Sequence, residues 1–239
     1  MKLMQFVFVG LLTVALPAMA QYKAGDVTNG GSISGIVKKK GSIPKDTMAV
    51  VNADMEFCGK ELPAEEYVIS KAGEIQNAVA MLDGIKSGAA WTTKEAFMDN
   101  VKCRNEPRVV VAPKGGTMKY KNSDPIGHTA HYYLMEKGGK KKDLLNQAMP
   151  NKDMVMTTKK PLRKPGVIFV GCDPHTFEAG YVIVSEHPYA NVTNAKGAFK
   201  LENVPAGKHK LKVWHEKLGE KTVDVEVKAG ADTKVTVEF

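Results

Sequence analysis

The sequence lacks the motifs by which many enzymes are identified. It contains no glycine-rich phosphate loop, no Ser-His-Asp set and no paired-carboxylate motif, and the haem-attachment pattern Cys-x-x-Cys-His is absent. Strong helical periodicity is rare, whereas valine, glycine and threonine are plentiful. We therefore expect a protein that is not an enzyme, carries no covalently attached haem and contains little helix.

Long apolar runs are also scarce. Residues 1–20 combine a basic Lys2, an apolar stretch at Phe6–Leu16 and a small-x-small cleavage site, which is typical of an export signal peptide. No later stretch is long and apolar enough to cross a bilayer. These features predict cleavage between Ala20 and Gln21 and a periplasmic or extracellular protein without a transmembrane segment. The alternative is a retained membrane anchor.

Acidic residues are outnumbered by basic ones. The chain has 34 Lys and Arg against 26 Asp and Glu, which gives a net charge of +8. Short basic clusters occur at Lys38–Lys40, Lys140–Lys142 and Lys159–Lys160. Such clusters are either solvated turns or an electrostatic patch for an acidic partner. Nucleic-acid binding is not expected, because the chain is predicted to be exported and contains no nucleic-acid motif.

Short apolar runs separated by glycine, proline and asparagine dominate the remainder. This pattern is typical of an all-β fold built as an antiparallel β-sandwich. The predicted strands include 32–38, 48–51, 75–82, 108–111, 117–121, 167–170 and 181–184. By contrast, 85–100 is polar and predicts one or two helical turns, and 137–165 has the least ordered composition. After Val184, alternating segments predict a second, small β-sandwich.

Cys172 and His175 lie on a loop between two of these strands. The loop reads Gly-Cys-Asp-Pro-His and is flanked by apolar runs at Val167–Val170 and Tyr181–Val184. A thiol and an imidazole so close together are a pair of soft metal ligands, and the Asp-Pro turn lets both face one point. The alternative is an ordinary hairpin with a buried cysteine and a surface histidine. A Cys–His protease pair is disfavoured, because its members are normally distant in sequence.

A second loop supplies two more histidines. It reads Asn-Ser-Asp-Pro-Ile-Gly-His-Thr-Ala-His and contains His128 and His131. Together the two loops offer the His, Cys and His of a blue-copper site, with a weak fourth ligand still to be identified.

The two-part pattern Asn-Ser-Asp-Pro-x-x-His-x-x-His and Cys-x-x-His resembles the cupredoxins, which are plastocyanin- and azurin-like proteins. More closely, the chain resembles secreted bacterial cupredoxin-like proteins with a carboxypeptidase-regulatory-like tail, because Phe199–Glu216 matches such repeats. Residues 21–31 have the composition of a flexible leader, and the resemblance implies a Greek-key cupredoxin-like domain at 32–186 and a carboxypeptidase-regulatory-like β-domain at 187–239. It also implies copper, or alternatively zinc, and a redox partner such as a cytochrome.

The resemblance implies His128, Cys172 and His175 as equatorial ligands. His131 is a weaker candidate, because residues three apart on a strand face opposite sides, and we expect it beside the site or at the surface. An axial methionine is implied three residues after the last histidine, but Glu178 occupies that position. The fourth ligand is then Glu178, the backbone carbonyl of Gly127 or a distant methionine. The candidates for a distant methionine ligand lie between the two loops and are Met149, Met154 and Met156. The alternative is that these methionines only pack in the core.

The odd number of cysteines also constrains the site. Export permits disulfides, and an unpaired cysteine outside the cell requires an explanation, which metal ligation by Cys172 provides. We therefore predict a disulfide between Cys58 and Cys103, with two unpaired buried thiols as the alternative. His215 and Glu216, at a predicted strand end, are weak additional ligand candidates.

Three functions remain open from the sequence. The first is a cupredoxin-like protein that transfers one electron or carries copper through a His/Cys/His site. The second is a copper- or zinc-binding module without redox turnover. The third is a structural or scaffolding β-sandwich at the cell surface with a degenerate site.

Overall fold

The computed structural model describes residues 21–239, so the predicted export signal and its cleavage site lie at or beyond the edge of the described chain. Nearly all regular structure in these residues is β, and the all-β prediction is confirmed. The helical segments among them are α1 (Met55–Cys58) and a single 3-10 turn at Lys137–Gly139. No helix in the described part of the chain is long and apolar enough to span a membrane.

The strands of the first half of the chain are β1 (Lys23–Ala24), β2 (Gly31–Lys38), β3 (Met48–Val50), β4 (Glu61–Pro63), β5 (Val79–Asp83), β6 (Ser87–Gly88), β7 (Glu95–Asn100), β8 (Asn105–Glu106), β9 (Val109–Pro113) and β10 (Thr117–Asn122). Those of the second half are β11 (His128–Met135), β12 (Lys141–Met149), β13 (Met154–Thr157), β14 (Gly166–Gly171), β15 (Ala179–Ser185), β16 (Ala190–Val192), β17 (Ala198–Val204), β18 (Gly207–His215), β19 (Gly219–Val227) and β20 (Asp232–Glu238).

Strands β7 to β15 form one two-sheet sandwich, here called the central sandwich. One sheet has the order β13-β10-β7-β8 and the other the order β12-β11-β14-β15-β9. The strands alternate in burial, so that in β10 Met118, Tyr120 and Asn122 face the core while their neighbours are only half-buried. Most ladders are antiparallel, as predicted, but β7–β10 and β9–β15 are parallel.

Strands from both ends of the chain form the second sandwich, here called the terminal sandwich. Its sheets have the orders β16-β5-β18-β19 and β17-β2-β20. Between them lies an apolar core that includes Ile33, Val37, Leu82, Leu211 and Val213. Strands β2 and β5 therefore pair with C-terminal strands. The predicted division at residue 187 had placed them in the other domain, at 32–186. A strand pattern indicates which face is buried but not which distant strand is the partner.

Three local predictions also require correction. The leader at 21–31 is anchored, because β1 pairs with β6 and the Tyr22 hydroxyl donates to the Ala89 carbonyl at 2.7 Å. The segment 85–100 contains β6 and β7 rather than helical turns, and 137–165 contains β12 and β13. Residues 141–144 of β12 are exposed at the edge of a sheet. Because exposed positions carry polar residues, this strand has the composition of a loop.

The two sandwiches share a small interface. Val79 of the terminal sandwich packs with Val109 and Ile183 of the central sandwich in one apolar cluster. Beside this cluster, Arg108 forms a buried bidentate ion pair with Glu216, with nitrogen–oxygen distances of 2.6 and 3.1 Å. Glu216 thus has a structural ion-pair partner.

Candidate metal centre

The chain's two predicted ligand loops meet at one end of the five-stranded sheet. Strands β11 and β14 are antiparallel neighbours, with His131 paired to Gly171. His128 begins β11, and Cys172 directly follows β14, so this register brings the two side chains together. The connection from β14 to β15 then turns back and adds His175 and Glu178 to the same end.

The donor atoms of these four residues converge. Nδ1 of His128 lies 3.8 Å from Sγ of Cys172, and Nδ1 of His175 lies 3.5 Å from the same sulfur. Oε1 of Glu178 lies 2.9 Å from Nδ1 of His128 and 3.5 Å from Nδ1 of His175. One donor atom from each residue lies within 4.8 Å of all the others, and all four residues are buried. The group can therefore surround a single ion.

Carboxylates hold the opposite edges of both imidazole rings. Nε2 of His128 lies 3.2 Å from Oδ2 of Asp124, and Nε2 of His175 lies 2.8 Å from Oδ2 of Asp54. A carboxylate acceptor at Nε2 favours the tautomer that leaves Nδ1 as a lone-pair donor. Both rings thus present Nδ1 to the common centre.

A disulfide connects the segments that carry these carboxylates. The predicted bond between Cys58 and Cys103 is confirmed. It joins α1, which follows Asp54, to the turn whose amides bind Asp124. The Cys103 and Lys102 amides each donate to that carboxylate at 2.7 Å. The disulfide therefore connects the supports of the two rings.

Sγ of Cys172 accepts a hydrogen bond from the Thr129 amide at 3.2 Å. Although burial raises the pKa of the Cys172 thiol, its contacts with His128 and His175 bring it below the ordinary value. Burial lowers the pKa of His128, but its contacts with Asp124, Cys172 and Glu178 outweigh burial and raise it to about 11. The surroundings of Cys172 therefore favour the thiolate form, and those of His128 favour the protonated ring.

Glu178 has one satisfied and one unsatisfied oxygen. Oε2 accepts a hydrogen bond from Nδ2 of Asn100 at 2.8 Å, and Asn100 in turn accepts one from the Tyr120 hydroxyl at 2.8 Å. Oε1 is buried and, in the described residues, has no hydrogen-bond partner of good geometry despite its short distance to His128. A buried carboxylate oxygen without a partner is costly, and a cation at the common centre would remove that cost.

The other predicted ligand candidates lie elsewhere. His131 is largely buried beside the group, with Nδ1 2.6 Å from Asp173 and Nε2 2.9 Å from Asp143. Nδ1 of His215, in the terminal sandwich, accepts hydrogen bonds from the Lys217 and Leu218 amides. The three candidate methionines pack in or against the core of the central sandwich. A role for the Gly127 carbonyl stays a prediction.

Sequence reasoning did not identify the supporting residues Asp54, Asn100 and Asp124. Asp124 was detectable in principle, because it belongs to the Asn-Ser-Asp-Pro motif that precedes His128. Asp54 lies 121 positions from His175, and nothing in its local sequence indicates the contact.

No protein-family model matches the chain, and no curated protein matches it. Similar solved structures include a purple cupredoxin from Nitrosopumilus maritimus, with 21% identity and a TM-score of 0.31 over 38% of this chain and 99% of that chain. They also include a reduced Cu(I) form of an amicyanin variant, with 20% identity and a TM-score of 0.32 over 44% and 98%.

A third similar structure is the copper-containing nitrite reductase NirK from Thermus scotoductus SA-01. It has 18% identity and a TM-score of 0.31, and the match covers 43% of this chain and 24% of that chain. All three similarities are distant.

Proposed function

We propose that this protein is an exported, cupredoxin-like copper protein that transfers single electrons or carries copper. The observation that carries the proposal is the convergence of two imidazole nitrogens, one thiol sulfur and one carboxylate oxygen within 4.8 Å in a buried site. Donors that bind one ion at about 2.0–2.3 Å lie on the order of 3.5 Å apart. The observed Nδ1–Sγ distances of 3.5 and 3.8 Å match this spacing.

The chemistry of the donor set favours copper. Thiolate and imidazole ligands together suit copper, and copper when bound supplies one-electron redox chemistry. The protein's own residues provide the geometry. Asp124 and Asp54 orient the rings of His128 and His175, and the Thr129 amide donates to the sulfur. Burial excludes water and protects the thiolate from oxidation and disulfide exchange.

Addition of one equivalent of Cu(II) to the metal-free protein tests the proposal. We expect stoichiometric binding and an intense blue or green thiolate-to-copper absorption. Cys172→Ser should lose this absorption, and His131→Asn, outside the four-residue group, should keep it. A protein that remains colourless but binds stoichiometric metal would support a non-redox copper or zinc module. A wild-type protein that binds no metal would refute both.

Glu178 is proposed as the fourth donor in place of methionine. An anionic oxygen favours Cu(II) over Cu(I) relative to a thioether, so the reduction potential should be lower than with methionine. Glu178→Met should therefore raise the potential and shift the thiolate-to-copper band, whereas Glu178→Gln keeps an oxygen and should cause a smaller change. If neither property changes in Glu178→Met, this residue does not contact the copper.

The carboxylate oxygen of Glu178 also makes zinc the second candidate, because zinc binds Cys, His and carboxylate ligands in closed four-coordinate sites. Competition between Zn(II) and Cu(I) or Cu(II) at equal concentrations separates the two cases. Predominant zinc in protein purified from its native host, combined with the absence of a reversible redox wave after copper loading, would favour the zinc module.

The proposal includes export and a redox partner such as a cytochrome. It also includes a carboxypeptidase-regulatory-like module to which the C-terminal strands belong. Export is supported by the signal pattern of residues 1–20 and by the disulfide, which is typical of oxidising compartments. N-terminal sequencing of protein from the native host should begin at Gln21, and an intact Met1 would contradict export by cleavage.

A further inference from the structure

A cleft of about 730 Å³ opens on the side of the central sandwich. Strand β12 is the edge of the five-stranded sheet and β13 is the edge of the four-stranded sheet. Within the described residues, no further strand pairs with either edge. The two sheets are therefore open to solvent between β12 and the segment that follows β13, and the cleft enters there. None of the four residues of the metal centre lines it.

The floor of the cleft belongs to the apolar core. Leu134 and Ile168 line it and are 4% and 2% exposed, which shows how deeply it reaches between the sheets. Leu145, Met156 and Leu162 are among its other apolar lining residues. Ligand sites in proteins typically have volumes of about 300–1,000 Å³ and mainly apolar linings. The cleft has both properties.

Two local features keep the cleft open. The register between β11 and β12 shifts between Tyr132 and Tyr133, which leaves Leu144 as an extra residue in the edge strand. Such a bulge increases the twist of the strand and bends it. On the other side, Leu162 is held by two backbone hydrogen bonds, to the carbonyl of Gly116 and from the amide of Gly115. The opposite wall is therefore fixed to the sandwich.

The rim of the cleft is strongly basic. Its charged residues are Lys142, Lys159, Lys160, Arg163 and Lys164. The described lining contains no acidic residue, and of these five only Lys164 has an acidic ion-pair partner in the described part of the chain, Glu136 at 3.4 Å. An apolar interior below a rim whose positive charges are mostly unpaired complements a molecule with an apolar body and an anionic end.

We propose that the cleft between β12 and the segment after β13 binds an organic anion with an extended apolar body, such as a long-chain carboxylate. The apolar part lies against Leu134, Leu145 and Ile168, and the anionic end is held by Lys160, Arg163 and their neighbours at the rim. None of the four residues of the metal centre lines the site, and we expect the ligand to bind equally with and without copper.

Dodecanoate is the probe, with dodecan-1-ol and dodecylammonium as neutral and cationic controls of the same chain length. Isothermal titration of the purified protein, with and without metal, should show one dodecanoate per chain, bound at least tenfold more tightly than either control. Equal binding of dodecan-1-ol would overturn the assignment to an anion. No binding of any of the three would overturn the site.

Variants locate the site. Lys160→Gln with Arg163→Gln should weaken dodecanoate binding about tenfold, whereas Lys221→Gln with Lys228→Gln, the same charge change on exposed residues of the terminal sandwich, should leave it within twofold. Equal losses in both lysine-containing pairs would show nonspecific attraction to a basic protein and contradict the proposal.

Discussion

The two sandwiches differ in how their buried polar side chains are arranged. The core of the terminal sandwich is a continuous apolar cluster, whereas the central sandwich adds to its apolar core a set of buried polar residues at one end. These are Asn100, Asn105, Asn122, Asp124, His128, His175 and Glu178. Burial of polar groups is unfavourable unless they are paired. They are concentrated at the end of the central sandwich that contains the four residues of the metal centre, and most of them are paired with one another.

The difference between the sandwiches also appears in their connections. The central sandwich is a continuous segment, 95–185, and its polar end is tied by the disulfide to the loop that carries Asp54. Strands from both chain ends build the terminal sandwich, which has no disulfide among the described residues. The covalent bond therefore stabilises the part of the molecule that contains the buried polar residues.

Removal of the disulfide should have the largest effect. Cys58→Ala with Cys103→Ala frees a loop with a sequence separation of 45, which lowers the free energy of unfolding by on the order of 4 kcal/mol in the chain-entropy model. Urea unfolding of the metal-free protein measures this loss. Because Asp54 and Asp124 lose their mutual tether, copper affinity should fall by about tenfold or more. Unchanged stability and unchanged affinity would show that the segment is held by noncovalent contacts alone.

Disruption of the Arg108–Glu216 ion pair between the sandwiches should have the next largest effect on stability. Arg108→Met leaves Glu216 buried without a partner, and we expect the free energy of unfolding to fall by about 3 kcal/mol. Arg108→Met with Glu216→Met should recover most of this loss, because a buried apolar pair replaces a buried charged pair. If the double variant is no more stable than the single one, the pair contributes through its attraction rather than through the cost of an unpaired charge.

The stability of the folded protein should depend on pH through His215, a buried residue of the terminal sandwich. Burial, reinforced by the charge of Arg108, lowers its pKa from 6.5 to about 4. Well above pH 6.5 the residue is neutral in both states and has no effect on stability. Between pH 6.5 and 4 the unfolded chain binds a proton that the folded protein does not, so stability falls with falling pH. From pH 7 to 5 this loss amounts to about 2 kcal/mol.

The matched variant is His215→Asn, whose side-chain oxygen retains an acceptor for the Lys217 and Leu218 amides. Urea unfolding at pH 7 and pH 5 should show a smaller acid-induced loss in the variant than in the wild type. Identical losses would mean that His215 is already protonated in the folded protein.

Sequence reasoning succeeded where local patterns carry the information. Apolar runs at Val167–Val170 and Tyr181–Val184 identified β14 and β15 with their loop, and export together with an odd cysteine count identified the disulfide. It failed for pairings between distant segments, such as β2 with β20, because alternation in a strand does not encode its neighbour. It failed for Asp54 for the same reason.

Composition alone also misled in the edge strand β12. Its outer residues Lys141, Lys142 and Asp143 are exposed, and charged residues on an edge strand prevent association with other chains. The same charges made the segment resemble a loop. The cleft beside this strand was not predictable, because it depends on a register shift and on the spacing of two sheets.

The central claim is that His128, Cys172 and His175 bind one copper ion together. X-ray absorption at the copper edge of the Cu-loaded protein tests it most directly. We expect one sulfur and two imidazole nitrogens around each copper, with the sulfur contribution absent in Cys172→Ser. A copper environment of nitrogen and oxygen alone in the wild-type protein would contradict the account.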